Sequence, residues 1–121
     1  MQITVLKSKI HRATITGSNL QYEGSITIDN CLLNSANIIP YEQVHVVNVT
    51  NGSRLITYAI SSEAGTGDII LNGAAARLGS IGDIIIIIAY CSIDEDESQR
   101  HIPKVVCVDS KNRLLKGSSN G

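Results

Sequence analysis

Val44-His45-Val46-Val47-Asn48-Val49-Thr50, then Asn51-Gly52, then Ser53-Arg54-Leu55-Ile56-Thr57-Tyr58-Ala59-Ile60 reads as two β-strands and the turn that joins them. Both arms are rich in β-branched residues, whose restricted χ1 suits a pleated strand better than a helix. Asn-Gly between two such runs predicts a type I′ hairpin, because both residues tolerate positive φ. Closing the hairpin there sets Thr50 opposite Ser53, Val49 opposite Arg54, Val47 opposite Ile56 and His45 opposite Tyr58. Side chains alternate along a strand, so Arg54 and Tyr58 share one face and Thr57 points the other way. A guanidinium and a phenol on one side suit a carboxylate anchor beside a proton donor, although a plain solvent-facing strand would carry the same pair.

Outward from the hairpin the chain keeps this β texture. Residues 2 to 16 alternate loosely and predict a strand with a break near Lys7 to Lys9. Gly17-Ser18-Asn19 marks a turn, Leu20 to Glu23 a short extended piece, and Ile26 and Ile28 a strand resuming after Gly24. Asp29 suits the N-cap of a short helix through Leu32, Leu33 and Ala36, with Asn37 as its left-handed cap and Pro40 beyond. Gly65-Thr66-Gly67 predicts a turn and Asp68 to Leu71 a strand. Asn72-Gly73 leads into one or two helical turns, Ala74 to Leu78, stopped at Gly79. Gly82-Asp83 opens a strand from Ile84 to Tyr90, and Lys104 to Val108 is the last strand. The similarity of Gly67-Asp68-Ile69-Ile70 to Gly82-Asp83-Ile84-Ile85 hints at local duplication. Many short strands with few helices predict a mainly β protein, a closed or nearly closed barrel.

Bulk properties narrow the function classes. The 121 residues make room for a single domain, 1–121, with a core of Ile, Val, Leu and Ala, since there are four Tyr and neither Phe nor Trp. A net charge of -1 with scattered Lys and Arg lacks the basic stripe and stacking aromatics of a nucleic-acid binder. Cys31, Cys91 and Cys107 give neither a disulfide framework nor a metal motif and read as thiols of a reducing cytosol. Lys7, Lys9 and Arg12 interrupt any leader-like apolar run, and Ile84 to Ala89 is too short to span a bilayer. A cytoplasmic protein without a membrane partner is expected. The acidic run Asp94 to Glu97 reads as a solvated loop or helix start, and the tail after Lys116 (about 117–121) as disordered.

Residue types alone offer weak chemistry. Ser25 with His11 and Asp29 makes a conceivable hydrolase set, but serines after glycine are common in turns. His11, His45 and His101 lack ligand spacing, so no metal is expected. Asn72-Gly73-Ala74-Ala75 offers backbone N–H groups at a helix start or, more plainly, a strand-to-helix turn.

Five blocks taken together say more: Lys9-Ile10-His11-Arg12, Tyr22-Glu23-Gly24-Ser25, Asn48-Val49-Thr50-Asn51-Gly52, Thr57-Tyr58-Ala59-Ile60 and Asn72-Gly73-Ala74-Ala75-Ala76. In this order and at these separations the chain resembles the aspartate 1-decarboxylases, the pyruvoyl-dependent enzymes of pantothenate synthesis. The resemblance runs to about residue 92, and the part from Asp94 on departs in detail. It implies a double-psi β-barrel with short helices, assembled as a homotetramer. It implies self-cleavage at Gly24-Ser25 into a 1–24 β chain and a 25–121 α chain, with Ser25 becoming the covalent pyruvoyl group; neither metal nor PLP is implied. That group would form a Schiff base with L-aspartate and act as electron sink for loss of CO2, giving β-alanine. Tyr58 matches the proton donor. Thr57, Asn72, Gly73, Ala74 and Ala75 match substrate-contacting positions, Lys9 and Arg54 basic residues near the substrate carboxylates, and Tyr22 and His11 supporting positions. Thr57 is also implicated in cleavage. An accessory maturation factor leaves no readable sign. For Thr57 to join Arg54 and Tyr58 the strand needs a bulge, a barrel edge or a site spanning two subunits, and the last is favoured. A non-catalytic barrel of the same fold is the main rival.

Overall fold

The computed structural model describes residues 1–115. The expected tail at 117–121 lies outside the described residues. The strands are β1 (Gln2–Thr14), β2 (Gly17–Asn19), β3 (Ser25–Asp29), β4 (Gln43–Asn48), β5 (Arg54–Ser62), β6 (Ile69–Asn72), β7 (Ile84–Asp94) and β8 (Lys104–Cys107). One α-helix, α1 (Asn30–Ala36), follows β3, and 3₁₀ segments cover Gly73–Leu78 and Glu95–Arg100. The strands form one row in the order β2-β6-β3-β5-β4-β7-β1-β8.

The row closes on itself. Only Ile15 and Thr16 separate β1 from β2, and they bond in opposite directions: Ile15 N donates to Asp83 O at 2.9 Å and Thr16 N to Ile69 O at 2.8 Å. The β1–β2 segment therefore joins β7 on one side to β6 on the other, and β8 lies outside the ring, parallel to β1. The result is the mainly β barrel with short helices that was expected. Its interior is aliphatic: Ile10, Ile26, Ile28, Ile69, Ile85 and Ile87 are all fully buried. Burying each contributes about 1.5–3 kcal/mol, so the barrel needs no aromatic core.

The two Gly-Asp-Ile-Ile segments occupy equivalent places. Gly67 and Gly82 both take positive φ, at 73° and 95°. Asp68 O then accepts from Asp29 N at the end of β3, as Asp83 O accepts from Ile15 N just past β1, both at 2.9 Å. The hinted duplication is a repeat of strand entry.

Three local expectations are corrected. The hairpin pairs Gln43 with Tyr58, His45 with Ile56 and Val47 with Arg54, two residues away from the expected register. Gly52 has φ 78° but Asn51 is not in the positive-φ region, so the turn is not type I′. Instead Asn48 Oδ1 accepts from Thr50 N and Asn51 N at 2.9 and 3.1 Å, and Gly52 N closes on Asn48 O at 2.8 Å, which widens the loop. β1 has no break; register shifts between Leu6 and Ser8 and between Ile10 and Ala13 take up the irregularity, the second around Arg12 at φ 63°. Gly17–Asn19 is a strand, parallel to Ile70–Asn72, and the turn follows it, with Asn19 Oδ1 accepting from Gln21 N at 3.2 Å.

The helix behaves as its caps predict. Asp29 accepts from Cys31 N at 2.8 Å, and Asn37 ends the helix at φ 57°. Asp29 does more than cap. Its carboxylate, 3% exposed, also accepts from Gly65 N at 3.0 Å and Gly67 N at 2.9 Å, fixing the turn that enters β6. Asp29→Ala would orphan these donors, so it is expected to lower unfolding free energy by about 3 kcal/mol. Urea unfolding checks this; a loss below about 1 kcal/mol, the worth of a simple cap, would refute the wider role.

Candidate functional site

The site follows from unequal strand lengths. β3 and β5 run parallel from Ile26 opposite Ala59 to Asp29 opposite Ser62. Before that point β5 continues as Arg54–Tyr58 with β4 on one edge and, among the described residues, no strand on the other. Extending the register sets Ser25 level with Tyr58 and Gly24 level with Thr57. The open edge forms a cleft of about 470 Å³ lined by Gly24, Leu55, Ile56, Thr57, Tyr58, Ala74, Ala75 and Leu78. Thr57 and Tyr58 alternate in direction yet share this cleft because it meets the strand edge-on. β5 pairs without a register shift from Arg54 to Tyr58, so no bulge is involved. A barrel edge brings Thr57 and Tyr58 together within one chain, without Arg54.

Ser25 opens β3, fully buried and directly opposite Asn72 of β6. Its Oγ donates to Glu23 O at 3.1 Å and accepts from Asn72 Nδ2 at 3.0 Å. Asn72, 3% exposed, sends its other N–H to Thr27 Oγ1 at 2.9 Å. Tyr58 also lines a second cavity of about 310 Å³ with Tyr22, Glu23, Pro40 and Tyr41, and its ring lies 6.2 Å from that of Tyr41. A third cavity, of about 470 Å³, lined by Thr4, Glu42, Gln43, His45 and Tyr90, holds none of the expected site residues.

The remaining candidates lie elsewhere in the chain. Arg54 is exposed and shares the Tyr58 face as expected, but it does not line the cleft. Lys9 and His11 sit on β1, which pairs with β7 and β8 and not with β3 or β5. His11 has its pKa lowered by burial and by the cations of Lys9 and Arg12, and its Nδ1 lacks a hydrogen-bond partner among the described residues. The Ser25–His11–Asp29 hydrolase set is therefore not formed: Asp29 is committed to Cys31, Gly65 and Gly67 N–H groups.

Asn48 was missed as a contributor to the site. Its Nδ2, Asn51 Nδ2 and Ser53 Oγ all donate to Leu78 O, at 3.3, 3.1 and 2.8 Å. The hairpin tip thus latches the end of the segment that carries Ala74 and Ala75. Asn48 Nδ2 also donates to Asp83 at 3.0 Å, which with Ser80 N holds that carboxyl below its usual range. The quoted block Asn48 to Gly52 was the available signal.

Gly73, at φ 62°, brings its backbone against the turn before Ser25. A Cβ placed there would lie 2.7 Å from Gly24 N, 2.8 Å from Gly24 Cα and 2.9 Å from Tyr22 O. A Cβ on Gly24 meets nothing within 4 Å. Two neighbouring glycines therefore differ in what they demand. Gly73→Ala is expected to cost about 2 kcal/mol or more, from positive φ and backbone overlap. Gly24→Ala is expected to stay within about 1 kcal/mol, as for an unstrained Gly→Ala exchange. Denaturant unfolding of the two variants side by side checks this; equal losses would contradict it.

The family model described as aspartate decarboxylase matches residues 1–115. The aspartate 1-decarboxylase of Dehalococcoides mccartyi strain 195 is 60% identical over 112 residues, covering 93% of this chain and 90% of its own. That of Syntrophobacter fumaroxidans is 58% identical over 115 residues, covering 95% and 93%. Among solved structures, the computationally designed msDPBB_sym2 protein aligns with 72% of this chain and 99% of its own, at a TM-score of 0.45 and 14% identity. With the family model spanning every described residue, and relatives this similar over nearly their whole length, the chain belongs to the aspartate decarboxylase family.

Proposed function

We propose that this chain, acting as one domain, cuts itself between Gly24 and Ser25 and then decarboxylates L-aspartate to β-alanine and CO2 for pantothenate and coenzyme A synthesis. The observation that carries the reading is Ser25: a fully buried hydroxyl, held by Asn72 and Glu23 O, one residue from a cleft lined by Gly24, Thr57 and Tyr58. A buried serine held on both sides beside an open strand edge suits a backbone reaction better than a scaffold role.

The cleavage balances with this chain and water. Ser25 Oγ adds to the Gly24 carbonyl carbon as the peptide C–N bond breaks, leaving an ester and a free amine. Elimination breaks the Ser25 Cα–H and Cβ–Oγ bonds, the proton passing to solvent, releases Gly24 as a carboxylate and leaves residue 25 as dehydroalanine. Water then replaces the nitrogen, and ammonia leaves with residue 25 as a pyruvoyl group. Asn72 N–H faces Ser25 Oγ, the oxygen that leaves in the Gly24 carboxylate, so it stabilises the charge that develops there as the Cβ–Oγ bond breaks. Thr57 stands level with Gly24, whose carbonyl is attacked.

The site's residues fit such a group: residue 25 opens β3 beside the cleft, and the Gly73–Gly24 approach fixes the segment before it. A pyruvoyl group there supplies an electron sink for the pair released with CO2. Tyr58, level with residue 25, holds a phenolic proton for return to the substrate carbon. Ala74 and Ala75 keep the opposite wall small enough for a four-carbon dicarboxylate. Lys9 and Arg54 lie outside the cleft of their own chain, so they serve as carboxylate anchors from neighbouring copies in a homotetramer. Ile39, Ile56, Ile81 and Ile102 are each 60% exposed or more, the apolar surface such packing would cover.

Ser25→Ala is expected to abolish CO2 release from aspartate; retained release would overturn the reading. Tyr58→Phe removes only the proton donor, so self-cleavage should persist while turnover falls by roughly two orders of magnitude or more. Thr57→Val should instead slow cleavage. Gel separation of the fragments and CO2 assays on each variant distinguish the roles, and equal loss of cleavage in both would argue against the division.

A further inference from the structure

β3 turns Ile26 and Ile28 to the core, where they pair with Leu71 and Ile69 of β6. Its other face carries Ser25, Thr27 and Asp29. On that face Asn72 stands directly opposite Ser25 and diagonally across from Thr27, within reach of both. Its Nδ2 has two hydrogens and commits both, to Ser25 Oγ at 3.0 Å and Thr27 Oγ1 at 2.9 Å. Asp29 is engaged by Cys31, Gly65 and Gly67, leaving Thr27 as the second acceptor for this amide. A carboxamide with one N–H committed can swing about its terminal torsion; one with both committed has a single orientation.

We infer that Thr27 is a positioning residue for Ser25: its hydroxyl fixes the Asn72 amide so that an N–H, and not the carbonyl oxygen, faces Ser25 Oγ. The inference rests on the proposed self-cleavage and extends it to a residue outside the cleft. With the N–H held there, Ser25 Oγ directs its own proton at Glu23 O before the attack and meets a donor when it gains negative charge in the elimination. With the amide reversed, an acceptor would face the developing charge and oppose it. Thr27 itself is half-buried and contributes no large apolar group to the core, so its hydroxyl is removable without unfolding the barrel.

The test compares Thr27→Val, which keeps the shape and removes the hydroxyl, with Thr27→Ser, which keeps the hydroxyl. Conversion of freshly made precursor to fragments 1–24 and 25–121 is followed by intact mass against time, with the melting temperature of each variant. Thr27→Ser should cleave within about twofold of wild type, and Thr27→Val roughly three- to tenfold more slowly at an unchanged melting temperature, the loss of one neutral hydrogen bond. Wild-type cleavage by Thr27→Val, or equal slowing of both variants, would overturn the inference. If Thr27→Val fails to fold, Thr27→Ala against Thr27→Ser decides by the same comparison. If wild type itself never cleaves, the cleavage reading fails on its own account. Hydrogen-exchange protection of the Asn72 side-chain amide then judges the positioning contact, which should be kept in Thr27→Ser and lost in Thr27→Val; equal protection would overturn it.

Discussion

The backbone of Gly73 lies against residues 22 to 24 so closely that a single added carbon would overlap three of their backbone atoms. This approach fixes where β3 begins. With β3 starting at Ser25 and β5 at Arg54, five residues of β5 keep an unpaired edge, and that edge is the cleft. Unpaired strand edges are a hazard that most sheets bury or blunt. Here the edge is walled by the small residues of Gly73–Leu78, held from behind by three donors on Leu78 O. The site is thus a gap in the hydrogen-bond ladder, kept open by contacts on either side of it.

The barrel supports this gap by repetition. The same Gly-Asp-Ile-Ile entry serves β6 and β7, and each aspartate carbonyl catches the chain leaving a neighbouring strand. One entry leads through β6 to Asn72 and Gly73, so the strand that completes the barrel also delivers the residues that meet Ser25 and Gly24. Stability and chemistry are coupled at this point. A change that loosens β6 is felt at Ser25, whereas Arg54, Lys9 and His11 can vary in position without disturbing the cleft of their own chain.

Local structure is legible in the sequence where a side chain acts on its own neighbours. Asp29 and Asn37 bound the helix as their cap chemistry requires. The hairpin was found from its β-branched arms, although its register was wrong by two residues. That even shift keeps every side chain on its expected face, so the shared face of Arg54 and Tyr58 survived the error. What escaped was long-range. The type I′ expectation failed because Asn48 captures the turn amides while also reaching Leu78 and Asp83, some 30 and 35 residues away. Strand order hid the reason that Thr57 and Tyr58 meet, since alternation along one strand says nothing about where its neighbour begins. The grouping of Ser25, Thr57, Tyr58, Asn72 and Gly73 came from family resemblance and would not have followed from periodicity.

The central claim is that Ser25 is buried and held in order to break the bond before it. Intact-mass spectrometry of the purified wild-type chain under denaturing conditions tests this most directly. The account predicts two species, residues 1–24 and residues 25–121, the larger lacking a free N-terminal amino group and reacting with a carbonyl reagent. A single chain of 121 residues that nonetheless releases CO2 from aspartate would contradict it.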